Sequence, residues 1–267
     1  MKKLLFYRRG GLGDTLLTFP LLETFKKRKY YIVAIGNTEY FKIAKHIGWL
    51  DEIYSDFYPQ ILGKDYETKI IFSKLKGFDP FPSKRIWIID YYFKTLNLEK
   101  DFSWILPVKE ISNSPLKNKA VLHPGSGSFK KIPDFSLFEK IEKFLISQGF
   151  KTIYLIGEGD QWIKNFTKNY WESLDPLKIA QALKSAKIFI GLDSGISHLA
   201  SYLGVKSFIF FGPTDPVIWK PIGLNYTIIS LNLKCSPCFP NVCKDRPCLD
   251  TEFLFKKFLN QFYCLNK

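Results

Sequence analysis

Short apolar runs alternate along the chain with longer stretches whose apolar residues recur at helical spacing. Nearly continuous apolar strands separated by helices indicate parallel sheets covered on both faces, so the pattern predicts an α/β fold. Helices of the first half are predicted at Thr15–Arg28 and Thr38–Ile47. Its strands are predicted at Lys3–Tyr7, Tyr30–Ile35, Glu52–Ser55, Thr68–Phe72 and Arg85–Asp90.

The second half repeats this alternation after Pro107–Lys119, a stretch with the polar, turn-rich composition of a linker. A chain of 267 residues is long enough for two cores. We therefore predict two doubly wound domains, residues 1–113 and 114–267, whose strands end at a common cleft. Strands of the second half are predicted at Ala120–His123, Thr152–Ile156, Ile188–Gly191 and Ser207–Phe211. Its helices are predicted at Phe135–Gln148, Asp160–Lys168, Pro176–Ala186 and Ile196–Leu203.

The chain carries 39 Lys and Arg against 25 Asp and Glu, a formal net charge of +14. A positive field of this size attracts nucleic acid, an anionic membrane surface or phosphorylated small molecules. The lysines are scattered along predicted helices instead of forming one dense block, which disfavours nucleic acid. No segment approaches the roughly 18 to 20 unbroken apolar residues that span a bilayer. The first apolar run ends at Arg8, short of the ~7 to 15 residues of an export signal, so we expect a cytoplasmic protein.

A glycine-rich turn follows the first predicted strand and ends on a carboxylate, since residues 8–14 read Arg-Arg-Gly-Gly-Leu-Gly-Asp. Glycines let another molecule approach the backbone closely, and Asp14 directly precedes a predicted helix. Two interpretations of Asp14 stay open: it caps the helix, or it is a reactive carboxylate at the mouth of the cleft. Arg8 and Arg9 either hold an anionic acceptor beside it or are solvated residues at a strand end.

Two turns of the second half carry groups suited to a phosphorylated ligand. Residues 123–131 read His-Pro-Gly-Ser-Gly-Ser-Phe-Lys-Lys, and their backbone N–H groups, hydroxyls and lysines suit a phosphate, although the spacing of a Walker loop is missing. An ordinary connection with solvated lysines is the alternative. Beyond the next strand, Glu158 can accept hydrogen bonds from a ribose or a base, and Asp160 is predicted to cap a helix.

Residues 188–200, which read Ile-Phe-Ile-Gly-Leu-Asp-Ser-Gly-Ile-Ser-His-Leu-Ala, form the most specific segment. Asp193 can cap the helix that follows the strand, and Ser194 with Gly195 leaves the first N–H groups of that helix open to a diphosphate. His198 follows one turn later and points either at the cleft or into the core. Its spacing from Asp193 and Ser194 favours a ligand contact.

Taken together, G-G-L-G-D near the start, H-P-G-S-G-S-x-K in mid-chain and G-L-D-S-G-I-S-H-L-A later resemble family 9 glycosyltransferases, the ADP-heptose:lipopolysaccharide heptosyltransferases. The resemblance implies the GT-B architecture, in which an N-terminal Rossmann-like domain binds the acceptor and a C-terminal one binds the nucleotide-sugar donor. It implies an inverting, metal-independent transfer of heptose from ADP-heptose to a lipopolysaccharide core acceptor of the lipid A–Kdo type. The expected location is the inner face of the cytoplasmic membrane, with no nucleic-acid partner.

Carried over residue by residue, the resemblance makes Asp14 the catalytic base. It assigns a lysine to the donor phosphates, and we prefer Lys130 over its rival Lys131; Ile132 stands where the family usually has a Trp. The other donor-binding residues implied are Ser126, Glu158, Asp193, Ser194, Gly195 and His198. On the acceptor side we expect Arg8, Arg9, Gly11 and Gly13.

A cluster of cysteines lies in a Pro-rich segment before the last predicted helix, at Cys235, Cys238, Cys243 and Cys248, with Cys264 beyond it. A zinc or iron–sulfur site and two disulfides are both compatible with this density, but a second C-x2-C motif is missing. Similar cysteine-rich tails occur in some family 9 members. We therefore favour structural pairing over a structural metal, and we expect no cofactor.

Other functions remain open. A catalytically silent sugar-nucleotide-binding protein, or a transferase for a different nucleotide sugar, would have the same fold. A nucleic-acid-binding α/β protein would share the positive charge, and it would show steeply salt-dependent binding.

Overall fold

A computed structural model describes residues 2–241 and 243–264, so the last residues of the second predicted domain, 265–267, lie outside the described part. Within it the strands form one parallel sheet in each half, as predicted. The first sheet contains β1 (Lys3–Arg8), β2 (Tyr31–Gly36), β3 (Glu52–Tyr54) and β4 (Thr68–Phe72), in the order β3-β2-β1-β4. The second contains β5 (Ala120–His123), β6 (Thr152–Ile156), β7 (Tyr170–Glu172), β8 (Ile188–Leu192), β9 (Ser207–Phe210) and β10 (Tyr226–Ile229), in the order β10-β9-β8-β5-β6-β7.

The helix predicted at Thr15–Arg28 is two helices, α1 (Leu12–Leu16) and α2 (Phe19–Lys27), and it begins three residues earlier than predicted. Pro20 lies in the first turn of α2. Because proline has no N–H to donate to the carbonyl four residues back, one continuous helix through this position is disfavoured. The remaining helices of this half are α3 (Thr38–His46), α4 (Pro59–Leu62) and α5 (Ile88–Thr95).

The strand predicted at Arg85–Asp90 is wrong. The chain there enters α5, whose N-cap residue is Trp87. Its buried residues recur at helical spacing, at Ile88, Ile89, Tyr92 and Phe93. This repeat extends past the short apolar run on which the strand prediction rested, and it favours a helix.

In the second half, α6 (Ser136–Ser147), α7 (Pro176–Leu183), α8 (Gly195–Tyr202), α9 (Pro216–Trp219) and α10 (Thr251–Cys264) surround the sheet. Short 3-10 turns lie at Phe129–Lys131, Gln161–Asn165 and Pro247–Leu249. The helix predicted at Asp160–Lys168 is therefore only a 3-10 turn, and the strands β7 and β10 were not predicted. Both of these strands lie at the edges of their sheet, where a strand pairs with only one other strand. Edge strands are less buried, so their apolar pattern is weaker.

The two halves share a continuous apolar core. One cluster of buried side chains runs from Phe19 and Leu22 of the first half to Ile179, Leu199 and Tyr202 of the second. A separate cluster fills the outer face of the second sheet beneath α6 and α10. The connecting stretch 107–119 packs against the second half, with Val108 and Leu116 buried. Among the described helices, none is long and apolar enough to cross a membrane.

Candidate active site

A cavity of about 630 Å³ lies between the two halves, where strands of both sheets end. The first half contributes the turn at residues 11–14, together with Tyr40 and Phe81. The second half contributes the turns at residues 126–129, 157–160 and 193–196. The glycine-rich turns that the sequence predicts after strands therefore meet around one space, as expected at the carboxyl ends of parallel strands.

Asp14 lies on the wall of this cavity, and its side chain is 30% exposed. One carboxylate oxygen, Oδ1, accepts a hydrogen bond from Arg8 Nη2 at 2.7 Å. The other, Oδ2, accepts from the backbone N–H of Gly11 at 3.0 Å. Gly11 is the N-cap residue of α1, and Asp14 stands three positions later, inside the helix. The prediction that Asp14 is the N-cap residue is therefore wrong. Its carboxylate nevertheless accepts a hydrogen bond from the backbone at the start of the helix.

The two arginines differ in their surroundings. Arg8 is only 3% exposed, and its guanidinium lies 5.5 Å from the ring centroid of Phe81 as well as against Asp14. Arg9 is exposed and turns to the end of β3, where Nη2 lies 3.3 Å from Asp56 Oδ2. Among the described residues that line the cavity, neither arginine is present. Arg8 is the ion-pair partner of Asp14, and contact of either arginine with an acceptor stays a prediction.

The two halves touch where α1 meets α8. A Cβ on Gly195 would lie 2.7 Å from Cβ of Leu12 and 2.9 Å from the backbone nitrogen of Gly13. A Cβ on Gly13 would lie 3.2 Å from Cδ2 of His198. The close approach of two backbones explains the glycine at 195. Gly11 and Gly13 both line the cavity, and contact with an acceptor stays a prediction for them.

Asp193 is buried and accepts hydrogen bonds from residues of several turns. Its backbone carbonyl accepts from Ser126 Oγ at 2.8 Å and from Lys131 Nζ at 2.9 Å. Its carboxylate oxygen Oδ2 accepts from Thr214 Oγ1 at 2.7 Å and from Lys131 Nζ at 3.1 Å. The prediction that Asp193 caps α8 is wrong, because Ser194 is the N-cap residue and its hydroxyl oxygen accepts from the N–H of Ser197 at 3.3 Å.

The lysine on the cavity is Lys131. The 3-10 turn at Phe129–Lys131 points neighbouring lysines in different directions. Lys130 Nζ donates to the backbone carbonyl of Pro240 at 2.7 Å, and Lys130 is absent from the described cavity wall. Lys131 lines the cavity, with its ammonium 5.8 Å from the ring centroid of Phe239. The preference for Lys130 over Lys131 is therefore corrected.

His198 lies on the cavity wall and is also buried, with 6% of the residue exposed. Its Nε2 is 3.9 Å from Asp193 Oδ1, and its Nδ1 has no hydrogen-bond partner among the described residues. Burial lowers the pKa of His198 below its ordinary value; the charges of Asp193 and Asp14 act in the opposite sense, and that of Lys131 lowers it further. The imidazole is thus neutral near pH 7, and its Nδ1 is buried without a hydrogen-bond partner among the described residues.

Glu158 is exposed at the cavity, as a contact to a nucleoside requires, and that contact stays a prediction. Tyr40 of α3 lies on the same wall. Burial, and then the charge of Glu158, raises the pKa of the Tyr40 phenol. A side chain of the first half thus lies close to the expected nucleoside end of the second, and the sequence had not singled it out.

Asp160 does not cap a helix; its carboxylate turns inward to His123. His123 ends β5 and is buried at the cavity, but it was not assigned a role from the sequence. A polar residue that closes an otherwise apolar strand was the available signal. Other cavity residues missed from the sequence are the aromatic side chains Phe81, Trp219 and Phe239.

All five cysteines lie within the described part of the chain, and each is a free thiol. The disulfides favoured from the sequence are therefore not formed in this structure. Within the described residues, no group of three or more His, Cys, Asp or Glu side chains is arranged to hold a metal ion. Cys238, Cys243 and Cys248 do border one small pocket on the far side of Lys130. The choice between pairing and a metal stays a prediction.

Known proteins share both the sequence pattern and the fold. A model of glycosyltransferase family 9 (heptosyltransferase) matches residues 38–248. Lipopolysaccharide heptosyltransferase 1 of Pseudomonas aeruginosa is 28% identical over 89 residues, which are 33% of this chain and 25% of that protein. The sequence match thus spans about a quarter of the length of this relative.

Solved structures extend the fold likeness to the whole chain. ADP-heptose lps heptosyltransferase II of E. coli superposes with a TM-score of 0.73 at 11% identity, covering 100% of both chains. E. coli heptosyltransferase WaaC with ADP gives 0.68 at 13% identity, covering 97% of this chain and 99% of that one. A family 9 glycosyltransferase of Veillonella parvula gives 0.70 at 15% identity, covering 85% of each chain.

At these identities the superpositions show the fold alone, which is the GT-B arrangement of two facing Rossmann-like halves. The family match covers most of the chain and includes the turns at residues 126–129, 157–160 and 193–196 that line the cavity. This protein belongs to glycosyltransferase family 9, the heptosyltransferase family.

Proposed function

We propose that this protein is an inverting glycosyltransferase that moves heptose from ADP-heptose to an anionic lipopolysaccharide core acceptor of the lipid A–Kdo type. One observation carries the proposal. Asp14 stands on the cavity wall in a helix that touches α8, the helix that begins at Ser194 and Gly195. A carboxylate and a helix N-terminus that face one space are the groups that base-assisted displacement of a diphosphate requires.

In this mechanism Asp14 removes the proton from an acceptor hydroxyl as the hydroxyl oxygen attacks the anomeric carbon. The bond from that carbon to the diphosphate breaks through an oxocarbenium-like transition state, and the configuration inverts. Positioned proton transfer is worth about 10²–10⁴-fold in rate. Lys131 and the N-terminus of α8 stabilise the negative charge on the leaving diphosphate, so no step is assigned to a metal.

The donor side of the proposal uses the remaining cavity residues. Ser126, Ser194, Gly195 and His198 are assigned to the diphosphate and sugar, and Glu158 to the nucleoside. The adenine base is inferred from two structural neighbours, heptosyltransferase WaaC with ADP and heptosyltransferase TibC in complex with ADP-D-beta-D-heptose. Lys131 takes the phosphate role in place of Lys130, because its ammonium reaches the cavity.

The acceptor side rests on charge. A net charge of +14 favours an acceptor that carries phosphates or carboxylates, and it favours residence at an anionic membrane surface as a peripheral protein. Cosedimentation with vesicles of anionic lipid, lost on replacement by zwitterionic lipid or at high salt, is the measurement that checks this part.

A sugar-nucleotide-binding protein without transferase activity is the second candidate. Both carboxylate oxygens of Asp14 are already hydrogen-bonded within the protein, to Arg8 and to Gly11, which favours a structural role for this side chain. The two candidates differ in what happens when Asp14 loses its charge.

The deciding experiment compares Asp14→Asn with Asp56→Asn, a substitution at an exposed carboxylate near Arg9. For a transferase, we expect Asp14→Asn to lower turnover of ADP-heptose by about 10²–10⁴-fold while the Kd for ADP is unchanged. Asp56→Asn should match the wild type in both. Unchanged turnover in Asp14→Asn removes the base assignment, and ADP binding without any turnover in the wild type favours the second candidate.

A thermal-shift series with ADP, UDP and GDP tests the donor separately. We expect ADP to raise the melting temperature most, because binding to the native state alone stabilises it by mass action. Stabilisation by uridine nucleotides only would replace ADP-heptose by a different nucleotide sugar and leave the fold assignment intact.

A further inference from the structure

A chain of buried polar groups links three of the turns that line the cavity. These turns follow β8, β5 and β6, which are neighbours in the second sheet. His123 Nε2 lies 3.0 Å from Asp160 Oδ2, and His123 Nδ1 lies 3.5 Å from Ser194 Oγ. Asp160 comes from the turn after β6, His123 from the end of β5, and Ser194 from the turn after β8.

The members of this chain are almost fully buried. The exposed fractions are 7% for Asp160, 2% for His123 and 6% for Ser194. Buried polar groups are costly unless they are hydrogen-bonded, so each one constrains its neighbours. The link therefore holds three turns in one arrangement.

Asp160 is fixed by more than the histidine. Its Oδ2 also accepts the backbone N–H of Gly157 at 3.3 Å. Its Oδ1 occupies space beside Gly125, where an added Cβ would lie only 2.0 Å away. A side chain at 125 would displace the carboxylate. Because Gly125 has no side chain, the carboxylate of Asp160 has room to reach His123.

The contact with Asp160 decides which nitrogen of His123 carries the proton. A carboxylate accepts hydrogen bonds, so Nε2 is the protonated nitrogen in neutral His123 and Nδ1 presents its lone pair to Ser194. Ser194 then keeps a lone pair for the N–H of Ser197, as its role as N-cap requires. The Ser197 hydroxyl donates to the carbonyl of Leu192, so the single hydroxyl hydrogen of Ser194 is shared between two acceptors, Ser197 Oγ at 3.2 Å and His123 Nδ1 at 3.5 Å.

We propose that Asp160 and His123 are positioning residues that hold the Ser194 hydroxyl, and with it the start of α8, in the orientation that binds the donor diphosphate. This inference rests on the proposed function, because the diphosphate is its ligand. Neither residue is assigned to the chemistry. Through Ser194 they determine how the first N–H groups of α8 are presented to the cavity.

The order Asp160, His123, Ser194 is also that of a hydrolase triad, but the geometry argues against a nucleophilic serine. The distance of 3.5 Å from His123 Nδ1 to Ser194 Oγ exceeds the usual range of about 2.6–3.2 Å for a nucleophile and its base. Ser194 Oγ also accepts the helix N–H of Ser197. The chain of groups is therefore suited to orientation.

The first test is the tautomer of His123, read from the nitrogen chemical shifts of its imidazole in labelled protein at a pH where the ring is neutral. We expect the proton on Nε2 in the wild type. In Asp160→Asn we expect loss of this preference, while Asp134→Asn, at an exposed position before α6, should leave it unchanged. A wild-type histidine with its proton on Nδ1 would overturn the inference.

The second test is ADP affinity by calorimetry. We expect Asp160→Asn to weaken ADP binding about tenfold, as for loss of an oriented hydrogen bond to a charged ligand. His123→Gln keeps a donor for Asp160 but shortens the reach to Ser194, and we expect a similar loss. Unchanged ADP affinity in both folded variants would contradict the inference.

The failure of the proposed function has a different signature. A wild type that binds no ADP at all contradicts the donor assignment, and the chemical shifts of His123 then still decide whether Asp160 orients the histidine. If Asp160→Asn fails to fold, His123→Gln supplies the affinity comparison against Asp134→Asn.

Discussion

The carboxylate of Asp14 is held by a buried arginine. Arg8 has 4% of its side chain exposed, and its Nη2 lies 2.7 Å from Asp14 Oδ1. The same guanidinium lies over the ring of Phe81, a cavity residue. The position of the proposed base is thus set by a buried group that is absent from the described cavity wall. Removing the group should act on stability and on turnover together.

We expect Arg8→Met to lower the free energy of unfolding by about 1–3 kcal/mol, because it leaves the Asp14 carboxylate without its buried donor. Turnover should fall as well, since the carboxylate loses its fixed orientation. Arg9→Met is the matched control at an exposed neighbour and should stay within about 0.5 kcal/mol of the wild type. Urea unfolding and steady-state kinetics measure both; equal effects of the two variants would contradict this account.

His198 gives the stability a defined pH dependence. Burial lowers its pKa below the ordinary value of 6.5, so the folded state favours the neutral imidazole. The unfolded chain binds the proton first as pH falls, so this contribution to stability is present above about pH 6.5 and is lost progressively below it.

We expect the free energy of unfolding of the wild type to decrease between about pH 7 and pH 5 more than that of His198→Gln. His46→Gln, at an exposed position in the last turn of α3, is the matched control and should follow the wild type. Denaturant unfolding at several pH values provides the comparison. A parallel pH dependence of wild type and His198→Gln would show that this histidine is not the group responsible.

Local chemistry let the sequence predict some site residues and not others. Asp14, Ser194 and Gly195 follow strands in glycine turns, and their placement at the cavity depends mainly on the local turn. Lys130 and Lys131 lie in a 3-10 turn, so their side chains point in different directions. The residue pattern does not predict this turn, and so it does not show which lysine faces the cavity. His123, the hydrogen-bond partner of Asp160, lies 37 positions away in the chain. The sequence next to Asp160 therefore predicts only a helix cap.

At the scale of elements, the contact between α1 and α8 brings Gly195 against the backbone nitrogen of Gly13 and the Cβ of Leu12 across the two halves. An added methyl group has no flexible side-chain end to push aside. This contact couples the turn that carries Asp14 to the helix assigned to the diphosphate.

We expect Gly195→Ala to cost about 1–3 kcal/mol of stability through overpacking, and to weaken ADP binding because α8 must shift. Gly63→Ala is the matched control: its φ is −74° and the nearest atom to an added Cβ is 3.5 Å away. It should be neutral or stabilising by about 0.4–1 kcal/mol. Urea unfolding and calorimetry with ADP test the pair, and a Gly195→Ala protein as stable as Gly63→Ala would refute the close packing.

Element prediction succeeded where strands are buried on both faces and failed at edges and breaks. The central strands β1, β5 and β8 are apolar along nearly their whole length, so both type and position follow from the pattern. The break before Pro20 follows from the missing N–H of the proline, which the apolar pattern alone does not register. The strand prediction at Arg85–Asp90 fails because its apolar residues run into the first turn of α5, whose Tyr92 packs on Phe72 of β4.

At the scale of the molecule, the segment before α5 bridges the halves beside the cavity. Arg85 Nε and Nη2 donate to the carboxylate of Asp215 at 2.5 and 3.1 Å. Trp87 Nε1 donates to the backbone carbonyl of Lys220 at 2.9 Å. These contacts hold α9, with the cavity residue Trp219, against the first half.

We expect Trp87→Phe to lower the free energy of unfolding by about 1–3 kcal/mol, because it removes a buried donor and leaves the Lys220 carbonyl unpaired. Trp104→Phe is the matched control, since Trp104 stacks on Trp87 at 5.7 Å but is 42% exposed. It should cost about 0.5 kcal/mol or less. Thermal and urea unfolding of both variants measure the difference; equal losses would show that the bridge contributes nothing.

The apolar cluster that runs from Phe19 to Tyr202 has a consequence for how substrates reach the cavity. Swinging the two halves apart would expose this cluster to water, and that cost grows with every apolar side chain uncovered. For the proposed transfer we therefore expect both substrates to pass along the solvent-facing rim, where Phe129 and Leu174 are 76% and 64% exposed at the cavity. If both use this rim, the spent nucleotide would have to leave past the bound acceptor, so we expect substrates and products to bind and leave in a fixed order.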